Sequence, residues 1–113
     1  MEGKQRYVVK LEMAEGERCF PCSRDQFIWN AAASHGIILP AICHQGRCLT
    51  CAGRLLSGTV DQTRANSYFP EDKLAGFVLL CTALPRSDLR ILPNQQLAMR
   101  EHRRRLKLPA PYG

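Results

Sequence analysis

The sequence predicts an α+β fold in which a mixed β-sheet packs on one main helix. Two strand-like segments precede a helical segment, and the later strand-like segments are joined by short connectors. At 113 residues the chain is long enough to bury a core as one domain. It has no apolar run of about 18 residues, so we expect no membrane insertion.

The first strands are predicted to form a hairpin. Residues 6–13 alternate as a strand does, a glycine-containing turn follows, and residues 17–22 form the second strand. A capping box of Ser23 and Gln26 then begins a helix over 27–35, which ends before a glycine. Phe27, Trp29 and Ala31 are predicted to face the core.

The second half is predicted to contain short strands, one helical turn and a final helix. These are two strands within 51–60 around the Ser57-Gly58 turn, a turn opened by Pro70, strands at 76–81 and 88–92, and a helix over 94–107 capped by Asn94. We divide the chain into a domain at 1–93 and a basic extension at 94–113, which is not an independent domain.

The net charge of +6 is concentrated near the C-terminus. From Leu97 onward there are five cations against one acid, Glu101, a balance of +4. The N-terminus lacks the apolar core of a secretory signal and the bias of a transit peptide, so we expect a cytosolic protein from a cyanobacterium-like source. In such a reducing compartment, clustered cysteines indicate metal or redox chemistry more often than disulfides.

Four of the six cysteines follow a metal-cluster spacing. Cys43, Cys48 and Cys51 lie within nine residues, and Cys81 follows after 29 intervening residues, at the end of an apolar strand. This Cys-x4-Cys-x2-Cys…Cys pattern is the plant-type spacing of a [2Fe–2S] cluster, which needs four thiolates. Gly46 lets the loop curve closely around the cluster. There are three alternatives. Four buried free cysteines could cluster by chance, structural zinc more often uses two short knuckles, and disulfides disagree with the compartment.

These features resemble the plant- and cyanobacterial-type [2Fe–2S] ferredoxins over residues 5–92. The shared motifs are LP at 39–40, CAG at 51–53, SGTVDQ at 57–62, AGFVLLC at 75–81 and PRSD at 85–88. The resemblance implies a β-grasp fold and a one-electron carrier that is not an enzyme. It also implies that Cys43 and Cys48 hold the iron nearer the surface, while Cys51 and Cys81 hold the inner iron.

The cluster loop departs from the family pattern. Ile42 stands in place of a hydroxyl donor and Arg47 in place of an alanine, while Gly46 and Thr50 are kept. A cation beside a cluster that becomes more negative on reduction favours the reduced state. We therefore expect a potential above the roughly −400 mV of plant-type clusters. Alternatively, Arg47 points into water and its charge is screened.

The predicted partner differs too. Family members are strongly acidic, and the aromatic residue and glutamate important for their NADP-reductase correspond here to Ser67 and Gln96. Tyr68 and Phe69 are adjacent, so an aromatic side chain is still available. A charge of +6 predicts redox partners with an acidic docking surface. We expect a monomer.

The basic extension has two interpretations. Either it is a partner-docking helix with Leu97, Arg100, Arg104 and Leu108 on one face, or it packs back on the domain through Leu97, Leu106 and Leu108. Nucleic-acid binding is disfavoured, because the basic run has no interleaved aromatic residues. The favoured function is a one-electron carrier. The alternative is a cluster-bearing regulatory or sensor protein that binds a partner through this tail.

The other cysteines and the histidines are predicted to be structural or surface residues. Cys19 and Cys22 are three residues apart on a strand, so they face opposite sides. His35 and His102 are expected on the surface. His44, in the cluster loop, is also expected there, although its protonation could be coupled to the potential.

Overall fold

The computed structural model describes residues 6–41, 49–65 and 67–110, within which the chain forms seven strands and three helices. The strands are β1 (Arg6–Met13), β2 (Gly16–Ser23), β3 (Ala52–Ser57), β4 (Val60–Asp61), β5 (Phe77–Leu79), β6 (Leu84–Pro85) and β7 (Leu89–Leu92). The helices are α1 (Ile28–Ser34), α2 (Pro70–Leu74) and α3 (Gln96–Arg105). The predictions made for residues 42–48 lie outside the described ranges.

A five-stranded mixed sheet with the order β2-β1-β7-β3-β5 forms the centre of the molecule. Strand β1 pairs antiparallel with β2 and parallel with β7, and β3 lies antiparallel to both β7 and β5. Strands β4 and β6 form a separate two-stranded ribbon. The predicted α+β fold of the β-grasp type is confirmed. Within the described ranges, no helix has the length and apolar character needed to cross a membrane.

The apolar core consists of two clusters. The first apolar cluster comprises buried residues of the sheet and α1, among them Val9, Leu11, Phe20, Ile28, Ala31, Val78, Leu80 and Ile91. The second apolar cluster comprises Leu49, Cys51, Ala52, Phe77, Leu79, Cys81 and Met99. Successive residues of a strand point to opposite faces, which explains why the residues of 77–81 are divided alternately between the two clusters.

Helix α1 begins one residue later than predicted. Gln26 Oε1 accepts a hydrogen bond from the Ser23 N–H at 3.3 Å, but Ser23 Oγ accepts from the Asp25 N–H rather than from the helix. These two residues therefore fix the turn that leads into α1. The helix ends before Gly36, whose φ of 79° lies in the left-handed region that favours glycine.

Helix α3 also differs from the prediction at its start. Asn94 does not cap it: its φ is 62°, and the helix begins at Gln96. At the other end Lys107 takes a left-handed conformation, with φ of 58°. The N–H of Leu108 bonds the Arg103 carbonyl oxygen at 2.8 Å, which makes this end a Schellman motif without glycine.

The inner face of α3 is not the predicted one. Leu97 is 81% exposed and Leu106 is 47% exposed, whereas Met99 and Arg103 are fully buried. Of the two interpretations, one had the extension packing on the domain through Leu97, Leu106 and Leu108. The helix does pack on the domain, but Leu97 and Leu106 point away from it and Leu108 is only partly buried. Its two fully buried residues are Met99 and Arg103, which share one face because they are four residues apart.

Candidate metal centre

Two of the four predicted cluster ligands meet because β3 and β5 are antiparallel neighbours. Ala52 lies opposite Leu79, so Cys51 just before β3 approaches Cys81 just after β5. Their Sγ atoms are 2.9 Å apart, and each residue is only 2% exposed. This separation is longer than the about 2.05 Å of a disulfide bond. The pairing of the sheet thus places two sulfur ligands side by side at the edge of the second apolar cluster.

Backbone hydrogen bonds fix the segments that carry these cysteines. The Leu80 N–H donates to the Cys51 carbonyl oxygen at 3.1 Å. Helix α1 also binds the segment that leads to Cys81, because the Trp29 N–H donates to the Leu80 carbonyl oxygen at 3.0 Å. The Trp29 indole N–H donates to the Leu39 carbonyl oxygen at 2.7 Å. The main helix therefore binds Leu39 directly and is connected to Cys51 through Leu80.

Gln62 clamps the strand that leads to Cys81. This side chain is buried, and its Oε1 accepts a hydrogen bond from the Leu79 N–H at 2.6 Å. Its Nε2 lies 3.4 Å from both the Leu79 carbonyl oxygen and Thr82 Oγ1. Both ends of the amide thus bind the turn around Cys81. The sequence signal was the motif at 57–62, which carried the family resemblance but gave no role to its last residue.

We expect Gln62→Leu to destabilise the protein by about 1–3 kcal/mol, because the buried Leu79 N–H loses its acceptor. Thermal unfolding followed by circular dichroism measures the effect. Gln96→Leu, the same change at a partly exposed position in the first turn of α3, is the matched control and should leave the unfolding temperature nearly unchanged. Equal unfolding temperatures for the two variants would show that the clamp contributes nothing.

The donor set around Cys51 and Cys81 fits a thiolate-bound cluster. The Thr50 hydroxyl is buried, and its Oγ1 has no hydrogen-bond partner among the described residues. A buried hydroxyl without a partner is costly, whereas a hydroxyl adjacent to Cys51 can donate to a thiolate or sulfide. Two buried sulfurs and this hydroxyl are suitable surroundings for soft iron–sulfur chemistry.

Cys43 and Cys48, the other two predicted ligands, lie outside the described residues. In the part of the chain that is described, no group of three or more histidine, cysteine or carboxylate side chains is arranged to hold a metal ion. The structure therefore brings together half of the predicted ligand set, and the assignment of all four cysteines remains a prediction.

The two other cysteines are separated as predicted. Cys19 is exposed and Cys22 is buried, on opposite faces of β2. Burial raises the pKa of Cys22 to about 12. The Cys22 Sγ also lies 3.3 Å from the Gln26 carbonyl oxygen, to which the thiol donates. Cys22 is therefore a protonated structural thiol at neutral pH rather than a nucleophile.

A buried ion pair that sequence reasoning missed connects α3 to α2. Arg103 donates to Asp72 through Nη2 at 2.7 Å and through Nε at 3.3 Å, and both side chains are fully buried. Arg103 also donates to the Ser67 carbonyl oxygen at 2.8 Å and to the Pro109 carbonyl oxygen at 3.0 Å. No sequence pattern distinguished this arginine from the exposed ones beside it.

His102 is not the surface residue that was predicted. Its side chain is only 15% exposed, and its ring lies 5.1 Å from that of Phe77. Its Nε2 is 3.2 Å from Asp72 Oδ1, although the angles do not form a hydrogen bond. His35, in contrast, is exposed as predicted.

The two aromatic residues next to Ser67 are engaged within the domain. The Tyr68 hydroxyl donates to the Phe77 carbonyl oxygen at 2.7 Å, and burial, followed by the nearby Asp72 charge, raises the pKa of Tyr68 to about 12. The Arg103 guanidinium lies 4.8 Å from the centre of the Phe69 ring. Both residues are partly exposed, and each makes one of these internal contacts.

Comparison with known proteins decides the family. The family model of the 2Fe-2S iron-sulfur cluster binding domain matches residues 12–86, which include all four predicted ligands. The chain is 44% identical to Ferredoxin-2 of Synechococcus sp. over 90 residues, which are 80% of this chain and 86% of that protein. The chain belongs to the plant- and cyanobacterial-type [2Fe–2S] ferredoxin family. It therefore carries one [2Fe–2S] cluster and is an electron carrier rather than an enzyme.

A further relative agrees with this ferredoxin assignment, and a solved structure shares the fold. The chain is 40% identical to the heterocyst ferredoxin of Microchaete diplosiphon over 72 residues, 64% of this chain and 73% of that protein. Among solved structures, pectocin M2 has a TM-score of 0.72 and 26% identity; the match covers 86% of this chain but only 38% of pectocin M2. The ferredoxin domain here thus corresponds to less than half of that protein.

Proposed function

We propose that Cys43, Cys48, Cys51 and Cys81 hold the [2Fe–2S] cluster of this ferredoxin, and that the chain serves cytoplasmic redox partners as a specialised carrier with a less negative potential than usual. The observation that supports the ligand set best is the buried Cys51–Cys81 pair, with its Sγ atoms 2.9 Å apart. When bound, the cluster takes up and releases one electron. The chain's own residues hold the sulfurs in place and exclude water from the inner pair.

The less negative potential rests on charge. The overall charge is +6, and Arg47 lies in the cluster loop between Cys43 and Cys48. A positive charge lowers the free energy of a cluster that gains an electron. An anaerobic potentiometric titration tests this proposal: we expect a midpoint clearly above the roughly −400 mV of plant-type clusters. A midpoint at or below that value would contradict it.

The exposed arginines of α3 are evidence for a partner with an acidic docking surface. Arg104 and Arg105 have side chains that are 72% and 74% exposed, and among the described residues both pair with the half-exposed Glu101 alone. Exposed ion pairs of this kind contribute little to stability and are easily exchanged for a partner's carboxylates. Because Tyr68 and Phe69 make internal contacts, this basic face is the more accessible recognition feature.

We expect the double variant Arg104→Glu and Arg105→Glu to slow electron transfer to an acidic c-type cytochrome by about tenfold or more at low salt. Stopped-flow mixing of the reduced ferredoxin with the oxidised cytochrome measures the rate, and added salt should reduce the difference. Lys10→Glu with Arg18→Glu is the matched control, because it reverses two exposed charges on β1 and β2, at the end of the sheet away from β5. If both double variants lost the same fraction of the electron-transfer rate, the effect would come from the overall charge and the proposed docking face would be contradicted.

A further inference from the structure

Helix α3 lies over the half of the core that contains the inner cysteines. Strand β5 is one of the two edge strands of the five-stranded sheet, and residues 77–81 alternate between the two apolar clusters. Helix α1 contributes to the first cluster, which holds Val78 and Leu80. Helix α3 contributes Met99 to the second cluster, which holds Cys51 and Cys81. The two helices therefore pack on opposite faces of this end of the sheet.

Met99 is the only residue that α3 contributes to the second apolar cluster in the described part of the chain. It is fully buried, whereas Leu97, two residues earlier, is 81% exposed. An unbranched thioether side chain fills irregular gaps well and has no polar atom that requires a strong partner. Met99 thus belongs to the same buried cluster as Cys51 and Cys81, each of which is 2% exposed.

Three sets of hydrogen bonds hold α3 in this position. At its start, the Gln95 N–H donates to the carbonyl oxygen of Ala52, the residue after Cys51, at 2.9 Å. In its last turn, Arg103 donates two buried hydrogen bonds to the carboxylate of Asp72 in α2. The same guanidinium also binds the Ser67 and Pro109 carbonyl oxygens. The helix is therefore fastened at both ends, with Met99 between them.

We propose that α3 is a fixed cover for the inner half of the metal centre, and that Met99 is a positioning residue that controls the access of water to the sulfur atoms of Cys51 and Cys81. The inference rests on the proposed role of these two cysteines as ligands. Burial disfavours the more highly charged state of a group. The cover therefore disfavours the reduced, more negative cluster, and it acts on the potential in the direction opposite to that of Arg47.

The test uses the cluster-loaded protein with Met99→Ala and, as the matched control, Leu97→Ala on the exposed side of the same helix. The first readout is the midpoint potential. The second is the rate at which an iron chelator bleaches the visible absorption, and the third is hydrogen exchange of the backbone around residues 79–82. In Met99→Ala we expect a more positive potential, bleaching faster by about tenfold or more, and faster exchange. Leu97→Ala should match the wild type.

If Met99→Ala does not retain the iron–sulfur cluster, two further variants still test the inference. Met99→Leu conserves volume and should restore wild-type behaviour, whereas Met99→Val should shift the potential and the bleaching rate in the same direction as alanine, but less. If Met99→Val and Met99→Ala match the control, the cover has no effect on the centre and the inference is overturned. If the wild type itself shows no iron–sulfur signal, the proposed ligand role has failed instead.

Discussion

Cys81→Ala should abolish the visible absorption of the protein and leave no more than traces of bound iron. Cys81 lies beside Cys51 in a buried site, and alanine provides no thiolate and no alternative ligand. Because a [2Fe–2S] cluster needs two ligands on each iron, the loss of one inner ligand prevents stable binding of the cluster. The absorption spectrum and the iron content of the freshly purified protein measure the effect.

Cys19→Ala is the control for this experiment. Cys19 is exposed on β2, on the face opposite to Cys22, and it is not among the predicted ligands. This variant should keep the spectrum and iron content of the wild type. A full complement of iron in Cys81→Ala, or an equal loss in Cys19→Ala, would contradict the assignment of the ligands.

Arg103→Met should destabilise the protein by about 3–5 kcal/mol, because it leaves the buried Asp72 carboxylate without the guanidinium that binds both of its oxygens. Two interactions with α2 and two with backbone carbonyl oxygens are lost together. For a domain of this size we expect the unfolding temperature to fall by roughly 10 °C or more. Thermal unfolding followed by circular dichroism, at a fixed scan rate on the cluster-loaded protein, measures the difference.

The neighbouring arginine supplies a matched control. Arg104→Met makes the same chemical change one residue later, where the side chain is 72% exposed and pairs with the exposed Glu101. The expected effect is within about 0.5 kcal/mol of zero. Replacing Asp72 and Arg103 together by leucine should recover part of the lost stability, since no unpaired buried charge remains. Similar unfolding temperatures for Arg103→Met and Arg104→Met would show that the buried Arg103–Asp72 ion pair does not stabilise the fold.

Most elements of the fold follow from local patterns in the sequence. The alternating residues of β1 and β2, the helix ended before Gly36 and the turn opened by Pro70 are all present. The exceptions depend on tertiary pairing. Strand β6 has only two residues and exists because it pairs with β4, a contact that no short-range pattern indicates. The start of α3 was misplaced because Asn94, a common capping residue, instead takes a left-handed conformation.

The site was predictable only in part, for physical reasons. Cysteine spacing identifies chemistry directly, because thiolates are required ligands, and the meeting of Cys51 with Cys81 agrees with that prediction. Arg103, in contrast, stands in a run of arginines, and its burial depends on Asp72, which is 31 residues away. Met99 carries no chemical signal in the sequence at all. Their roles arise from where α3 packs.

Electron paramagnetic resonance of the anaerobically reduced protein, combined with iron and sulfide analysis of the same sample, tests the central claim most directly. A cluster held by Cys43, Cys48, Cys51 and Cys81 predicts a spin-half signal of one spin per chain, with iron and sulfide in equal amounts. A protein that contains zinc instead, with no signal on reduction, would contradict the account.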